Sequence, residues 1–118
     1  MTEFLYHYKM KVTRVVDGDT IYGDVDLGFN IGVKQMEFRL AEVNTPEIKG
    51  ATKTAGLASK KFVEDNLLNK EVCILTKKDT KEKYGRFLAW VYYQEAENLW
   101  TCINKKLVEL NLAVPFMV

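Results

Sequence analysis

Val15-Val16-Asp17-Gly18-Asp19-Thr20 separates two runs of alternating side chains, and its reading as a tight turn between strands decides the fold. Asp and Gly tolerate the backbone angles of a sharp reversal. Before it, Tyr8, Met10 and Val12 alternate with Lys9, Lys11 and Thr13, which is strand periodicity. The pattern slips at Arg14-Val15-Val16, which predicts a bulge or bend. After it, Ile21, Gly23, Val25 and Leu27 alternate with Tyr22, Asp24 and Asp26. Leu27 to Gly32 reads as a loop, and Met36, Phe38 and Leu40 give a third apolar face. Three antiparallel strands in a meander are the simplest arrangement.

The third strand runs into Phe38-Arg39-Leu40-Ala41-Glu42-Val43-Asn44-Thr45-Pro46-Glu47. Pro46 fixes its own φ and pushes Thr45 out of the helical region, so this strand also ends abruptly. Ile48 to Lys53 reads as a short polar loop. From Thr54 the period becomes helical, with Ala55, Ala58, Phe62, Val63 and Leu67 on one side and an end near Asn69. Glu71 to Thr76 is a fourth strand, Lys77 to Lys83 a charged solvated loop, and Phe87 to Tyr93 a fifth, buried strand. Leu99 to Ile103 reads as a short extended piece. Asn104 is expected to cap a last helix reaching about Leu110, with Asn111 in the left-handed closing position. The tail Ala113 to Val118 is apolar and should pack back on the body. Five strands, a helix between the third and fourth, and a C-terminal helix describe a β-rich OB-fold barrel, and residues 1–118 form one domain.

The bulk composition fits that size. The chain has 118 residues, 47% hydrophobic and 28% charged, with 2 prolines and 7 glycines, which excludes a disordered or low-complexity chain. A net charge of +1 means that any phosphate binding rests on a few clustered cations. Cys73 and Cys102 lack metal spacing and read as small core residues. Met1 to Lys11 is too punctuated by charge for a signal peptide, and no stretch approaches a membrane span. The expectation is a cytoplasmic protein without a membrane partner.

The two turns are where the chemistry gathers. Asp17-Gly18-Asp19-Thr20 alone is a hairpin turn, and Asn44 and Glu47 alone are turn formers beside Pro46. Meeting in space, they supply two carboxylates, an amide oxygen and free carbonyls, with Arg39 alongside. That is the composition of a hard-cation site facing a phosphate. Arg39 alone reads as a surface ion pair with Glu37 or Glu42, and Arg86 as a turn cation. Together their planar guanidiniums would hold a phosphate and its developing charge. Lys83 and Tyr84 would add a phosphate contact and a hydroxyl. His7 is the only histidine and lies far from these motifs, so histidine-based hydrolysis is not expected.

The ensemble resembles the staphylococcal (micrococcal, thermonuclease-type) nuclease family from about Lys11 to Ala113. Three ordered motifs carry the resemblance: Val16-Asp17-Gly18-Asp19-Thr20, Phe38-Arg39-Leu40 with Asn44-Thr45-Pro46-Glu47, and Lys83-Tyr84-Gly85-Arg86-Phe87-Leu88-Ala89. The resemblance implies a Ca2+-dependent phosphodiesterase that cuts DNA and RNA, single strands preferred, at the P–O5′ bond to leave 3′-phosphate ends. It implies Asp19 and Asn44 as calcium ligands through side chains and Thr45 through its carbonyl. It implies Glu47 on the attacking water, Arg39 and Arg86 on the scissile phosphate, and Lys83 and Tyr84 on a neighbouring one.

Asn44 departs from the aspartate of many members, which predicts weaker calcium binding. The family's best-known structure has a further C-terminal helix and base-stacking tyrosines, where this chain offers Phe116-Met117 and stops at Val118. The apolar tail or a partner chain is expected to cover the core there, as a monomer or weak dimer. The Ile48 to Lys53 loop looks short, which would open the cleft. A compact, leaderless version fits an intracellular, phage or mobile-element context. The alternatives are an OB module that binds nucleic acid with weak or no catalysis, and a protein-interaction domain.

Overall fold

The computed structural model describes residues 5–78 and 86–116. Three long strands open the chain: β1 (His7–Asp17), β2 (Thr20–Gly28) and β3 (Ile31–Leu40). A two-residue strand β4 (Val43–Asn44), a 3₁₀ turn (Gly50–Thr52) and helix α1 (Lys53–Leu67) follow. Then come β5 (Glu71–Lys78), β6 (Phe87–Ala96), β7 (Leu99–Cys102), α2 (Ile103–Glu109) and a second two-residue strand, β8 (Val114–Pro115).

The sheet runs β3-β2-β1-β5-β6-β7, and β3 also pairs with β6 in parallel. That last pairing closes β1, β2, β3, β5 and β6 into the expected OB barrel. β7 extends the sheet from β6, and β4 and β8 form a separate antiparallel ribbon. The alternation read in the sequence becomes the pleat: Met10, Val12, Ile21, Phe38, Leu40 and Ile74 are all buried in one core. The register shifts after Val12 and Val15 are the bend expected at Arg14-Val15-Val16.

Four local expectations need correction. The Leu27 to Gly32 loop is a two-residue turn, because Phe29 and Asn30 both take positive φ (56° and 62°) and let β2 and β3 run to its edge. Lys77 and Lys78 belong to β5 rather than to a loop. The buried face of α1 is Gly56, Ser59, Val63 and Leu67, while Ala55 and Ala58 are exposed. Asn104 is not a helix cap. The residue preceding α2 is Cys102, and the Asn104 side chain points into the core.

There Asn104 accepts a hydrogen bond from the Val91 N–H (2.9 Å) and donates to the carbonyls of Ala41 (2.9 Å) and Ala89 (3.0 Å). One amide thus satisfies backbone groups where β3 and β6 part company. Asn111 does take the left-handed position (φ 60°) that closes α2. Cys73 and Cys102 are free thiols, Cys102 buried and Cys73 half-buried. Among the described residues no helix is long and apolar enough to cross a membrane.

Candidate active site

The site forms where the β1–β2 turn meets the chain leaving β3. Register places Thr20 of β2 opposite Arg39 of β3, so Asp19 and Arg39 end up at the same rim. The Leu40 N–H donates to the Asp19 carbonyl (2.8 Å), which fastens the turn to the third strand. The Asp19 carboxylate continues the seam: Oδ2 accepts the Thr45 N–H (3.2 Å), and Oδ1 accepts the Thr20 hydroxyl (3.3 Å).

Gly18 explains why this turn lies so deep. A Cβ there would meet Ser59 Cβ and Thr45 Cγ2, each at 2.8 Å. The absent side chain lets the turn press between α1 and the Thr45 segment. Ser59, fully buried, uses its hydroxyl on the carbonyls of Ala55 and Leu112, and so ties α1 to the chain beyond α2.

Arg39 lies at the centre. Its side chain is only 15% exposed. Nη1 donates to the Leu40 carbonyl (3.3 Å) and Nη2 to Asn44 Oδ1 (3.4 Å). Nη2 also lies 3.8 Å from Asp19 Oδ2. One guanidinium nitrogen therefore has both the Asp19 carboxylate and the Asn44 amide oxygen beside it. Its ionic partner is Asp19, not Glu37 or Glu42. The Phe116 ring covers it, with Cζ 5.1 Å from the ring centroid.

Asn44 reaches this position through β4, which β8 holds in register, Val43 opposite Pro115 and Asn44 opposite Val114. Glu47 follows on an exposed segment, and Gly56 of α1 packs directly against its carbonyl, which also accepts the Thr52 hydroxyl (2.8 Å). Arg86 is half-buried immediately before β6. Phe87 pairs with Phe38 and Leu88 with Arg39 in the parallel seam, so Arg86 enters β6 two residues before the partner of Arg39. Asp19, Arg39, Asn44 and Thr45 thus converge; Glu47 follows them in the chain on an exposed segment, Arg86 stands just before β6, and Lys83 and Tyr84 lie outside the described residues.

Asp17 adds a feature of charge. Its Oδ1 accepts the Asp19 N–H (3.2 Å). Its pKa is raised to about 6, first by burial and then by the hydrogen bond to the Asp19 carboxylate and the charge on it. Two carboxyl groups share a small, half-buried turn and repel one another when both are charged.

The donor set suits a hard cation. Asp19 Oδ, Asn44 Oδ1 and the Thr45 carbonyl are all oxygens, as calcium or magnesium requires. Among the described residues no three His, Cys, Asp or Glu side chains stand together to hold an ion. A cation here would rest on one or two carboxylates, neutral oxygens and water.

Sequence reasoning did not identify Ser59 or Gly56 as parts of this rim, and it placed Phe116 only where the family's base-stacking tyrosines would fall, not against Arg39. Ser59 and Gly56 carried a signal, as small residues at helical spacing, but nothing in the sequence says what they approach.

The model of the family described as staphylococcal nuclease homologue matches residues 37–117. A Staphylococcus hyicus protein named thermonuclease is 36% identical, over 87% of this chain and 56% of its own. A Haemophilus influenzae protein named as an uncharacterized endonuclease is 33% identical, over 87% of this chain and 49% of its own. An uncharacterized Methanocaldococcus jannaschii protein is 32% identical, over 91% of this chain and 58% of its own. The chain thus spans about half the length of the curated relatives it matches.

Proposed function

The chain belongs to the staphylococcal nuclease homologue family, and on that premise we propose that it is a calcium-dependent phosphodiesterase acting on DNA and RNA, single strands preferred. The observation that carries this reading is the convergence of Asp19 and Asn44 on Arg39, with Thr45 held to the Asp19 carboxylate. An oxygen-only cluster beside a nearly buried guanidinium is what a phosphodiester oxygen needs on its two sides.

In this reading Asp19 and Asn44 hold the cation through side-chain oxygens and Thr45 through its carbonyl. Bound there, calcium supplies Lewis-acid polarisation of the phosphoryl oxygen. Glu47 orients a water and takes its proton as the oxygen attacks phosphorus in line with O5′. The P–O5′ bond breaks, O5′ takes a proton from solvent, and the chain upstream keeps the 3′-phosphate. Arg39 and Arg86 meet the charge that builds on the equatorial oxygens, and each such contact is worth roughly 10²-fold in rate. Lys83 and Tyr84 bind a neighbouring phosphate.

End-group analysis tests the chemistry. Calcium-dependent products carrying 3′-phosphate and 5′-hydroxyl ends support this cleavage. Products with 5′-phosphate ends would mean that the other P–O bond is cut. Binding without cutting would favour a nucleic-acid-binding module on the same barrel.

A further inference from the structure

Phe116 stands in the chain as one apolar residue of a tail, yet it reaches the middle of the site. Its N–H donates to the Glu42 carbonyl (2.9 Å), one step beyond the β4–β8 ribbon. Its ring then lies against Arg39, with the guanidinium carbon 5.1 Å from the centroid. Phe116 is 40% exposed, so the ring is not simply filling the core.

The contacts of Arg39 divide into two kinds. The Leu40 carbonyl and Asn44 Oδ1 accept its N–H groups, and Asp19 Oδ2 faces Nη2 as an ion pair. None of these is short, and the Nη2 contacts are 3.4 and 3.8 Å. Polar contacts this long constrain the plane of the guanidinium only weakly. An aromatic ring attracts a cation on its face and favours a limited set of orientations. A guanidinium that must present two N–H groups to one phosphate needs its plane fixed in advance.

We propose that Phe116 is a positioning residue for Arg39: its ring holds the guanidinium plane in the orientation used on the scissile phosphate. This rests on the nuclease reading above. The ribbon that carries Asn44 to the site also carries Phe116, so one backbone pairing sets a candidate ligand and the orientation of the arginine together.

The test compares Phe116→Leu, which keeps apolar bulk without a π face, with Phe116→Tyr, which restores the face. Each is made in the wild type and in Arg39→Gln. Cleavage of single-stranded DNA is measured at saturating calcium, and the Arg39 Nε–H resonance is read by NMR. Phe116→Leu should lower kcat on the order of fivefold with KM little changed. Phe116→Tyr should restore it, and Phe116→Leu should add nothing in Arg39→Gln. The Arg39 resonance should carry a ring-current shift that Phe116→Leu removes and Phe116→Tyr keeps. A loss that persists in Arg39→Gln, or that falls on KM, would mean Phe116 meets the nucleic acid or only supports the fold. Wild type that cuts, with Phe116→Leu cutting equally well, overturns the positioning role alone. Wild type that never cuts overturns the nuclease reading, and the positioning role on a scissile phosphate falls with it. The resonance then still reports whether ring and guanidinium meet.

Discussion

Gly56, in the first turn of α1, packs against the Glu47 carbonyl so closely that a Cβ on Gly56 would overlap Glu47 C and O and the Ile48 nitrogen. The neighbour is backbone and cannot swing aside. The segment that carries the candidate general base is thereby seated on a helix rather than left as a free loop. Exposed in a helix, Gly→Ala ordinarily gains about 1 kcal/mol. Here we expect Gly56→Ala to destabilise by about 1–3 kcal/mol, because overpacking outweighs propensity. Activity should fall as Glu47 shifts. Urea denaturation and cleavage rates measure the two effects, and a gain in stability would show that the contact yields easily.

Gly18 makes the matching approach on the other side of the site. Gly18→Ala places a methyl against Ser59 and Thr45. Both are buried, so the turn must lift, at a cost of about 1–3 kcal/mol. Because the Asp19 carboxylate accepts the Thr45 N–H, cleavage should fall with stability. Chemical denaturation and a nuclease assay on the same preparation read both.

Asn104 is expected to matter for stability far more than for chemistry. Asn104→Ala strands the Val91 N–H and removes the donor to the Ala41 carbonyl, while the Ala89 carbonyl keeps the Ala41 N–H (2.9 Å). Leaving buried backbone groups unpaired costs about 3 kcal/mol in sum. The urea midpoint should drop accordingly. A change below 1 kcal/mol would mean that water replaces the amide.

The strands were legible because alternation maps directly onto a half-buried pleat. Met10, Val12, Ile21, Phe38 and Leu40 fall where their periodicity predicts. The misread features are those in which size or shape overrides polarity. Gly56 and Ser59 form the buried face of α1 because the site turns come too close for larger side chains, so an apolar wheel selects Ala55 and Ala58 instead. Asn104 reads as a cap because buried asparagines are uncommon, and only the gap between β3 and β6 shows why one is needed. Among the site residues, the adjacency of Asp19, Arg39, Asn44 and Thr45 followed from two turns on neighbouring strands. The contact of Phe116 with Arg39 spans most of the chain and has no local signature.

In metal-free buffer the Asp17 carboxyl should leave a pH signature. Its folded pKa, about 6, lies above the ordinary 3.8, so the folded protein holds this proton more tightly than the unfolded chain does. Its contribution to stability is complete below pH 3.8 and is lost as pH rises through about 6. Asp17→Asn, which cannot ionise, should therefore gain stability over wild type as pH is raised from 4 to 7. Denaturant midpoints across that range check the sign. Equal slopes for the two proteins would contradict it.

Asn44 should limit calcium affinity, since an amide oxygen ligates without charge. Asn44→Asp adds a carboxylate beside Asp19 and should lower the calcium needed for half-maximal cleavage by roughly tenfold, the effect of one added charge at partly screened range. A calcium titration of activity decides it. An unchanged midpoint would remove Asn44 from the ligand set.

The most direct measurement is cleavage of single-stranded DNA by wild type and Glu47→Gln side by side, in millimolar calcium and in chelator. The account predicts cutting by the wild type in calcium alone and a loss on the order of 10²-fold or more in Glu47→Gln, with strand binding retained. Cutting that survives the chelator, or a Glu47→Gln variant as fast as wild type, would contradict it.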